Sequence, residues 1–284
     1  MNPDRYFVLG NPVAHSHSPF IHAAFAAQTG QHLVYERRLC PLDGFDAAVR
    51  TLAADREHGP VRGCNVTVPF KLEAVRIASR VTDRARQARA ANVLCFDHPG
   101  WLADNTDGAG LVCDLQSHAG WRLAGQRLLL IGAGGAAAGV LGPLLACQPT
   151  QLVVANRTRE KAQALADAHC ALAQAHGVVL SASGLEDAGE GFDVVINASA
   201  SSLAGAATPV SDAVIKPGSK VVDLMYGPAA APFLAWASRQ GAVARDGLGM
   251  LVEQAAEAFF LWRGVRPATA PVLQALRQRL GLAE

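Results

Sequence analysis

Residues 127–138 read RLLLIGAGGAAA. Four apolar residues, 128–131, run into Gly132-Ala133-Gly134-Gly135, and a helix of small residues follows. An uncharged run that ends in glycines is read as a buried parallel strand turning sharply into a helix. Glycine permits that turn because it has no Cβ to clash at positive φ. The helix then aims free N–H groups and the positive end of its dipole at whatever sits above the turn, an arrangement suited to phosphate. The spacing is GxGGxxxG (Gly132, Gly134, Gly135, Gly139) rather than strict GxGxxG, so the motif alone is also compatible with a simple glycine-rich turn. Its context decides. A strand precedes it, a helix follows, and a second strand is predicted at residues 152–155, which makes the βαβ unit of a dinucleotide site.

The end of that second strand bears on which dinucleotide. A site for the form without the extra phosphate usually places Asp or Glu there to hold the ribose 2′-hydroxyl. Here the strand runs into Asn156-Arg157-Thr158-Arg159-Glu160-Lys161, so three cations and no acid at the strand end follow it. A guanidinium at Arg157 can grip a 2′-phosphate through forked, charge-assisted hydrogen bonds. Thr158 can also cap the next helix, with Lys161 in its first turn.

At 284 residues the chain has room for one large or two medium domains, and with half its residues apolar it can bury a substantial core. A net charge of +1 argues against a general nucleic-acid binder. The six cysteines form no CxxC pair, so no zinc clip or dithiol motif is predicted. Isolated buried thiols in a reducing compartment, the cytoplasm, are the expectation. The opening MNPDRYFVLG shows no basic-then-apolar signal segment. Residues 128–147 carry no charge over twenty positions, enough for a membrane span, but five glycines and Pro143 lie inside it. The strand–turn–helix reading accounts for the run better, and no membrane partner is expected.

Along the chain, strand and helix alternate. A strand at 6–9 ends in Gly10-Asn11-Pro12. Ser18 and Pro19 form an N-cap and first-turn pair for a helix at 20–28. Strands are predicted at 33–39 and 61–68, and helices at 43–54, 70–79 and 83–91. A small hairpin follows, with arms at 93–96 and 101–102 around Asp97-His98-Pro99-Gly100. A connecting helix is expected at 106–119, further strands at 193–197 and 220–224, and helices at 250–262 and 270–280. Residues 184–191, 203–207 and Pro217-Gly218 read as surface loops. The alternation points to α/β layers, and a cleft between two such units is a favoured place for a small-molecule site.

The stretch Asn65-Val66-Thr67-Val68-Pro69-Phe70-Lys71 is the most informative outside the glycine turn. Strand alternation points Asn65 and Thr67 to one face. Pro69 starts a helix, and Lys71 falls in its first turn, where the dipole disfavours a cation by a few tenths to about 1 kcal/mol. Asp104-Asn105-Thr106-Asp107-Gly108 precedes the connecting helix and holds more polar groups than one cap requires. Asp107 is the candidate partner of Lys71 across a cleft. His15 and His17 have period-two spacing, but no acid or cysteine cluster completes a metal site, and no metal is expected.

Taken together, these motifs resemble the shikimate dehydrogenase family. The matching segments are Ser16-His17-Ser18-Pro19, the Asn65 to Lys71 stretch, Ala91-Asn92, Asp104 to Gly108, Gly132 to Ala136, Asn156-Arg157-Thr158, Tyr226, and GLGMLVEQA at 247–255. They stand in family order over nearly the whole chain. The resemblance implies a two-domain α/β fold: an N-terminal three-layer α/β substrate domain and a Rossmann-like NADP domain, with the cleft between them. Residues 1–105, completed by helices in 247–284, would form the first, and 106–246 the second. It implies reversible NADP-dependent reduction of 3-dehydroshikimate to shikimate, a step of aromatic amino-acid biosynthesis, by a monomer or homodimer. Lys71 and Asp107 would be the catalytic pair. Ser16 and Ser18 would hold the substrate carboxylate. Thr67, Asn92, Asp107 and Gln254 would bond ring hydroxyls, with Asn65 and Tyr226 lining the pocket. Gly132, Ala133, Gly134, Gly135 and Ala136 would bind pyrophosphate, and Asn156, Arg157, Thr158 and Lys161 the adenosine phosphate. Leu224 and Gly247 would approach the nicotinamide. Three departures from the family pattern are Val93 for Thr, Ser199 to Leu203 in a segment ordinarily Thr-Ser-x-Gly-Met, and Ala231-Pro232 for Thr-Pro. Two alternatives stand beside this reading: a quinate- or NAD-preferring paralogue, and a non-catalytic sensor of the same ligands. The intact Lys71 and Asp107 argue against the sensor.

Overall fold

The computed structural model describes residues 2–96, 100–199 and 210–282. Within them the chain forms two six-stranded sheets. In the first, β1 (Asp4–Gly10) runs parallel to β2 (Leu33–Leu39) on one side and β3 (Val61–Val66) on the other. The intervening helices are α1 (Ser18–Thr29) and α2 (Phe45–Ala54), and α3 (Lys71–Ile77) follows β3. β4 (Arg80–Val81), α4 (Asp83–Ala88), β5 (Val93–Cys95) and β6 (Leu102–Asp104) complete the unit, and β5 pairs antiparallel with both β3 and β6. The β5–β6 pair is the hairpin read from the sequence; its tip, Asp97 to Pro99, lies outside the described residues.

Strand β1 is buried on both faces, as a strand inside parallel neighbours must be. Phe7 and Leu9 pack with Phe45, Val49 and Phe70 beneath α2 and α3. Tyr6 and Val8 pack on the opposite face with Tyr35, Val93 and Trp262. Each such side chain contributes about 2 kcal/mol of apolar burial.

Helix α5 (Asp107–Cys113) carries the chain onward and runs into a single π-helical turn, Asp114–His118. The second sheet then assembles from β7 (Arg127–Ile131), α6 (Gly135–Ala146), β8 (Gln151–Ala155), α7 (Arg159–Ala168), α8 (Cys170–Ala175), β9 (Val179–Ser183), β10 (Phe192–Asn197), β11 (Ile215–Asp223), α9 (Ala231–Arg239) and β12 (Val243–Arg245). All its strands are parallel, in the order β12-β11-β10-β7-β8-β9. That is the doubly wound order of dinucleotide folds, whose crevice opens where the order reverses, between β7 and β10. The two-domain α/β architecture with a Rossmann-like sheet is therefore present. The uncharged run at 128–147 is β7, the glycine turn and α6, and no helix among the described residues is long and apolar enough to cross a membrane.

Helices α10 (Leu248–Arg263) and α11 (Ala270–Leu280) return to the first sheet and pack with α1 through Phe25, Phe259, Val272 and Leu276. The Trp262 indole N–H donates to the Leu94 carbonyl at 3.2 Å. Gly63 makes room for this, because a Cβ there would stand 2.6 Å from the indole nitrogen.

Several local expectations are corrected. Ser18 is the first residue of α1, not its cap; the cap position is His17, and no side chain caps the helix. Pro19 has no N–H to donate to a capping side chain, and the Ser18 hydroxyl accepts from Ser16 instead. Pro217 and Gly218 lie within β11, not in a loop, at an exposed start where pairing with β10 slips register. The expected loop at 203–207 lies outside the described residues. Not all cysteines are buried: Cys170 is exposed, and Cys113 and Cys147 are half-buried.

Candidate active site

A cavity of ≈ 350 Å³ opens between the ends of β1 and β3 and the segment after β11, with α10 as its wall. Ser16, Ser18, Asn65, Thr67, Lys71, Asn92, Asp107, Tyr226 and Gln254 all border it, as do Leu224 and Gly247.

Lys71 is the first residue of α3. Its carbonyl accepts from the Ala91 N–H at 2.9 Å, which ties the helix start to the Ala91-Asn92 turn. Its ammonium lies 2.5 Å from Asp107 Oδ2, and the pair is largely buried, with side chains 18% and 7% exposed. The other Asp107 oxygen accepts from Asn92 Nδ2 at 2.8 Å. Asn92 is the hub. Its Nδ2 also faces Thr106 Oγ1 and Gln254 Oε1, and its Oδ1 accepts from the Thr106 N–H. The Thr106 hydroxyl donates to the Gln254 carbonyl at 3.0 Å, fastening α5 to α10. Asp107 opens α5, and its own N–H donates to Asn105 Oδ1. A buried ion pair survives only when its remaining polar sites find partners, and this web supplies them on the Asp107 side.

At the other end, the Ser18 N–H donates to Ser16 Oγ, and the two hydroxyls are 3.1 Å apart. Arg37 Nε donates to the Ser16 carbonyl at 2.8 Å. Tyr226 reaches over from the end of β11 against His17, with ring centroids 5.8 Å apart. Burial raises the Tyr226 phenol above its ordinary value. Burial lowers the His17 imidazole, and Arg37, Arg279 and His15 lower it further.

The glycine turn does not border the cavity; it sits at the switch point of the second sheet. Gly132 has φ +110°, and a Cβ there would press on the Ala198 backbone at 3.0 Å. Gly134 and Gly135 differ: a Cβ on either would meet nothing within 4 Å. That open space lies directly at the N-terminus of α6, as a pyrophosphate requires. At the end of β8, the Asn156 amide donates to the Thr158 carbonyl at 2.9 Å. Arg157, Thr158 and Lys161 are exposed, and no ion pair among the described residues involves Arg157 or Lys161. Thr158 occupies the N-cap position of α7, but its side chain makes no capping hydrogen bond. These residues fit a phosphorylated dinucleotide.

Several apolar lining residues were not read from the sequence as part of the site, among them Val8, Val13, Met225, Met250 and Leu251. Met250 and Gln254 lie four positions apart on α10, and that helical spacing was the available signal. His15 and His17 also border the cavity, and among the described residues no group of three His, Cys, Asp or Glu could hold a metal. Val93 is fully buried in the core and does not border the cavity. Of the altered segment, Ser199 bonds Asn197 Oδ1, and Ala200 to Leu203 lie outside the described residues.

A buried Lys–Asp ion pair in a cavity beside a dinucleotide-type sheet places the molecule among the two-domain dehydrogenases. Comparison with known proteins narrows this. Residues 8–94 match the family described as "Shikimate dehydrogenase substrate binding domain", residues 114–217 "Shikimate / quinate 5-dehydrogenase", and residues 247–277 "Shikimate 5'-dehydrogenase C-terminal domain". The chain is 60% identical over 276 residues to the "Shikimate dehydrogenase (NADP(+))" of Methylibium petroleiphilum, covering 96% of this chain and 94% of that one. Among solved structures, an Ael1 enzyme from Pseudomonas putida superposes with a TM-score of 0.86 at 43% identity, covering 96% of this chain and 98% of the other. The shikimate 5-dehydrogenase of Thermus thermophilus, in complex with NADP(H) and shikimate, gives 0.84 at 30% identity, with coverage of 98% and 100%. The chain belongs to the shikimate dehydrogenase family.

Proposed function

We propose that the protein catalyses the reversible, NADP-dependent interconversion of 3-dehydroshikimate and shikimate in the shikimate pathway. The observation that carries the proposal is the Lys71–Asp107 contact of 2.5 Å inside a cavity edged by both sheets. Residues 1–105 with 247–284 serve as the substrate unit, and 106–246 as the nucleotide unit.

Ser16 and Ser18, paired at one end, donate to the substrate carboxylate. Thr67, Asn92, Asp107 and Gln254 bond the ring hydroxyls, with Asn65 and Tyr226 completing the walls. Gly132 to Ala136 receive the pyrophosphate, and Asn156 to Lys161 the adenosine phosphate. Leu224 and Gly247 flank the nicotinamide. Bound NADPH supplies a hydride to the ring carbonyl carbon. Lys71 has three ammonium hydrogens; one is held by Asp107, leaving others for the substrate oxygen. In the reducing direction Lys71 Nζ delivers a proton to the forming alkoxide and stabilises its charge, while Asp107 aims the ammonium. In the oxidising direction the proton returns to the same nitrogen.

Initial rates of cofactor reduction with shikimate and quinate, each against NADP and NAD, test the proposal. A strong preference for shikimate with NADP supports it. Turnover chiefly of quinate or with NAD replaces it with a paralogue, and folded protein without turnover in any pairing makes it a sensor.

A further inference from the structure

Tyr35 does not border the cavity, yet its hydroxyl holds one of the cavity's polar side chains. The residue sits on β2, buried, and its hydroxyl donates to Asn65 Oδ1 at 2.6 Å. Asn65 Nδ2 donates to the Asn92 carbonyl at 3.1 Å. A carbonyl can only accept, so this contact decides which end of the Asn65 amide is nitrogen. The amide oxygen therefore faces Tyr35. The phenol thus holds the asparagine end of the cavity in one amide orientation.

The ring is held by stacking. The His22 imidazole lies parallel to it, with centroids 4.1 Å apart and planes at 6°. Phe25, Phe259 and Trp262 surround His22. Burial pushes the His22 imidazole down to about 3, so the plate beneath Tyr35 stays uncharged across the neutral range.

We propose that Tyr35 is a positioning residue for substrate binding, holding the Asn65 amide in one orientation at the cavity that receives shikimate. The inference rests on the assignment of the cavity as the shikimate site. It assigns Tyr35 no contact with substrate or cofactor and no part in proton transfer. Loss of its hydroxyl should therefore weaken ground-state and transition-state binding alike and leave the chemical step alone.

The test is Tyr35→Phe in the full-length protein, which keeps the ring and its stack on His22. The expected result is a rise in KM for shikimate of about three- to tenfold, the worth of one net hydrogen bond. kcat should stay within about twofold and KM for NADP should not change. Ser18→Ala supplies the control for the cavity assignment and should also raise KM for shikimate. Asn65→Ala supplies the coupling: its effect on KM should shrink in the Tyr35→Phe background, because the amide it removes is already unanchored. A raised KM with Ser18→Ala but none with Tyr35→Phe overturns the role of Tyr35 and leaves the cavity assignment standing. An equal fall in kcat for both cofactor and substrate titrations, with a lowered Tm, shows a purely structural tyrosine and overturns it too. An unchanged KM with Ser18→Ala removes the cavity assignment and the inference with it.

Discussion

The Lys71 ammonium lies 2.5 Å from Asp107 Oδ2, although 36 positions separate the residues and each is the first residue of a different helix. A cation at a helix N-terminus is disfavoured by the dipole, whereas an anion there is favoured. The fold offsets the first with the second: Asp107, stabilised at the head of α5, is the counter-ion of the misplaced lysine at the head of α3. The ammonium is thereby held in the cavity rather than released to solvent.

Lys71→Ala should lower kcat by a factor of about 10² or more, the usual worth of a positioned general acid, with a modest change in KM for shikimate. Steady-state rates in both directions check this. A variant turning over at close to the wild-type rate removes Lys71 from the proton-transfer role.

Arg157 stands exposed at the end of β8 with no ion-pair partner among the described residues. A charge-assisted hydrogen bond to a 2′-phosphate contributes about 1.5–3 kcal/mol. Arg157→Ala should therefore raise KM for NADP by about tenfold or more and change KM for NAD little. Equal effects on the two cofactors would detach this residue from the 2′-phosphate.

Gly110, in the middle of α5, contrasts with Gly134, at the start of α6. A Cβ at Gly110 would stand 2.6 Å from the Gln254 backbone nitrogen, and backbone cannot swing aside. Gly110→Ala should cost about 1–3 kcal/mol through overpacking, separate α5 from α10, and raise KM for shikimate because Gln254 moves. A Cβ at Gly134 meets no protein atom within 4 Å. Gly134→Ala should leave Tm nearly unchanged and weaken NADP binding. Thermal melts and cofactor titrations on both variants distinguish space filled by protein from space kept for a ligand.

Much of this was legible in the sequence because it is written locally. The strand–glycine–helix run and the Asn65 to Lys71 stretch each place their groups through one turn of backbone. What was not legible depends on distant partners. Tyr35 looks like any strand tyrosine until β2 lies beside β1 and brings it to Asn65. Met250 and Leu251 look like ordinary core residues of α10 until the segment after β11 closes over them. Pro217 and Gly218 carry turn chemistry, but the pairing of β11 with β10 overrides it through a register slip. The Asp104–Arg84 pair belongs to the same class, since its third member, Glu257, lies 173 positions from Arg84.

Asp104 is 1% exposed, and its carboxylate is gripped by the Arg84 fork at 2.7 and 2.5 Å, the Thr82 hydroxyl at 2.6 Å and the Asn105 N–H at 2.7 Å. Burial alone would raise this carboxyl, but the Arg84 hydrogen bonds and charge outweigh it and hold the group below its ordinary 3.8. A carboxyl depressed in the folded state binds fewer protons there than in the unfolded chain. Its stabilising contribution is complete above the ordinary value and is lost as pH falls through the lower folded value. Arg84→Met removes the cation and leaves Asp104 buried as an unpaired charge, at a cost of about 3–5 kcal/mol near neutrality. As pH falls, the stranded carboxyl in the variant takes up a proton and its penalty fades, while the wild type loses its paired contribution. Urea melts of both proteins from pH 7 to pH 3 should therefore show a wide stability gap that narrows steadily toward acid. A gap of constant width would mean that Arg84 acts through packing against α10 and Glu257, and not through the charge on Asp104.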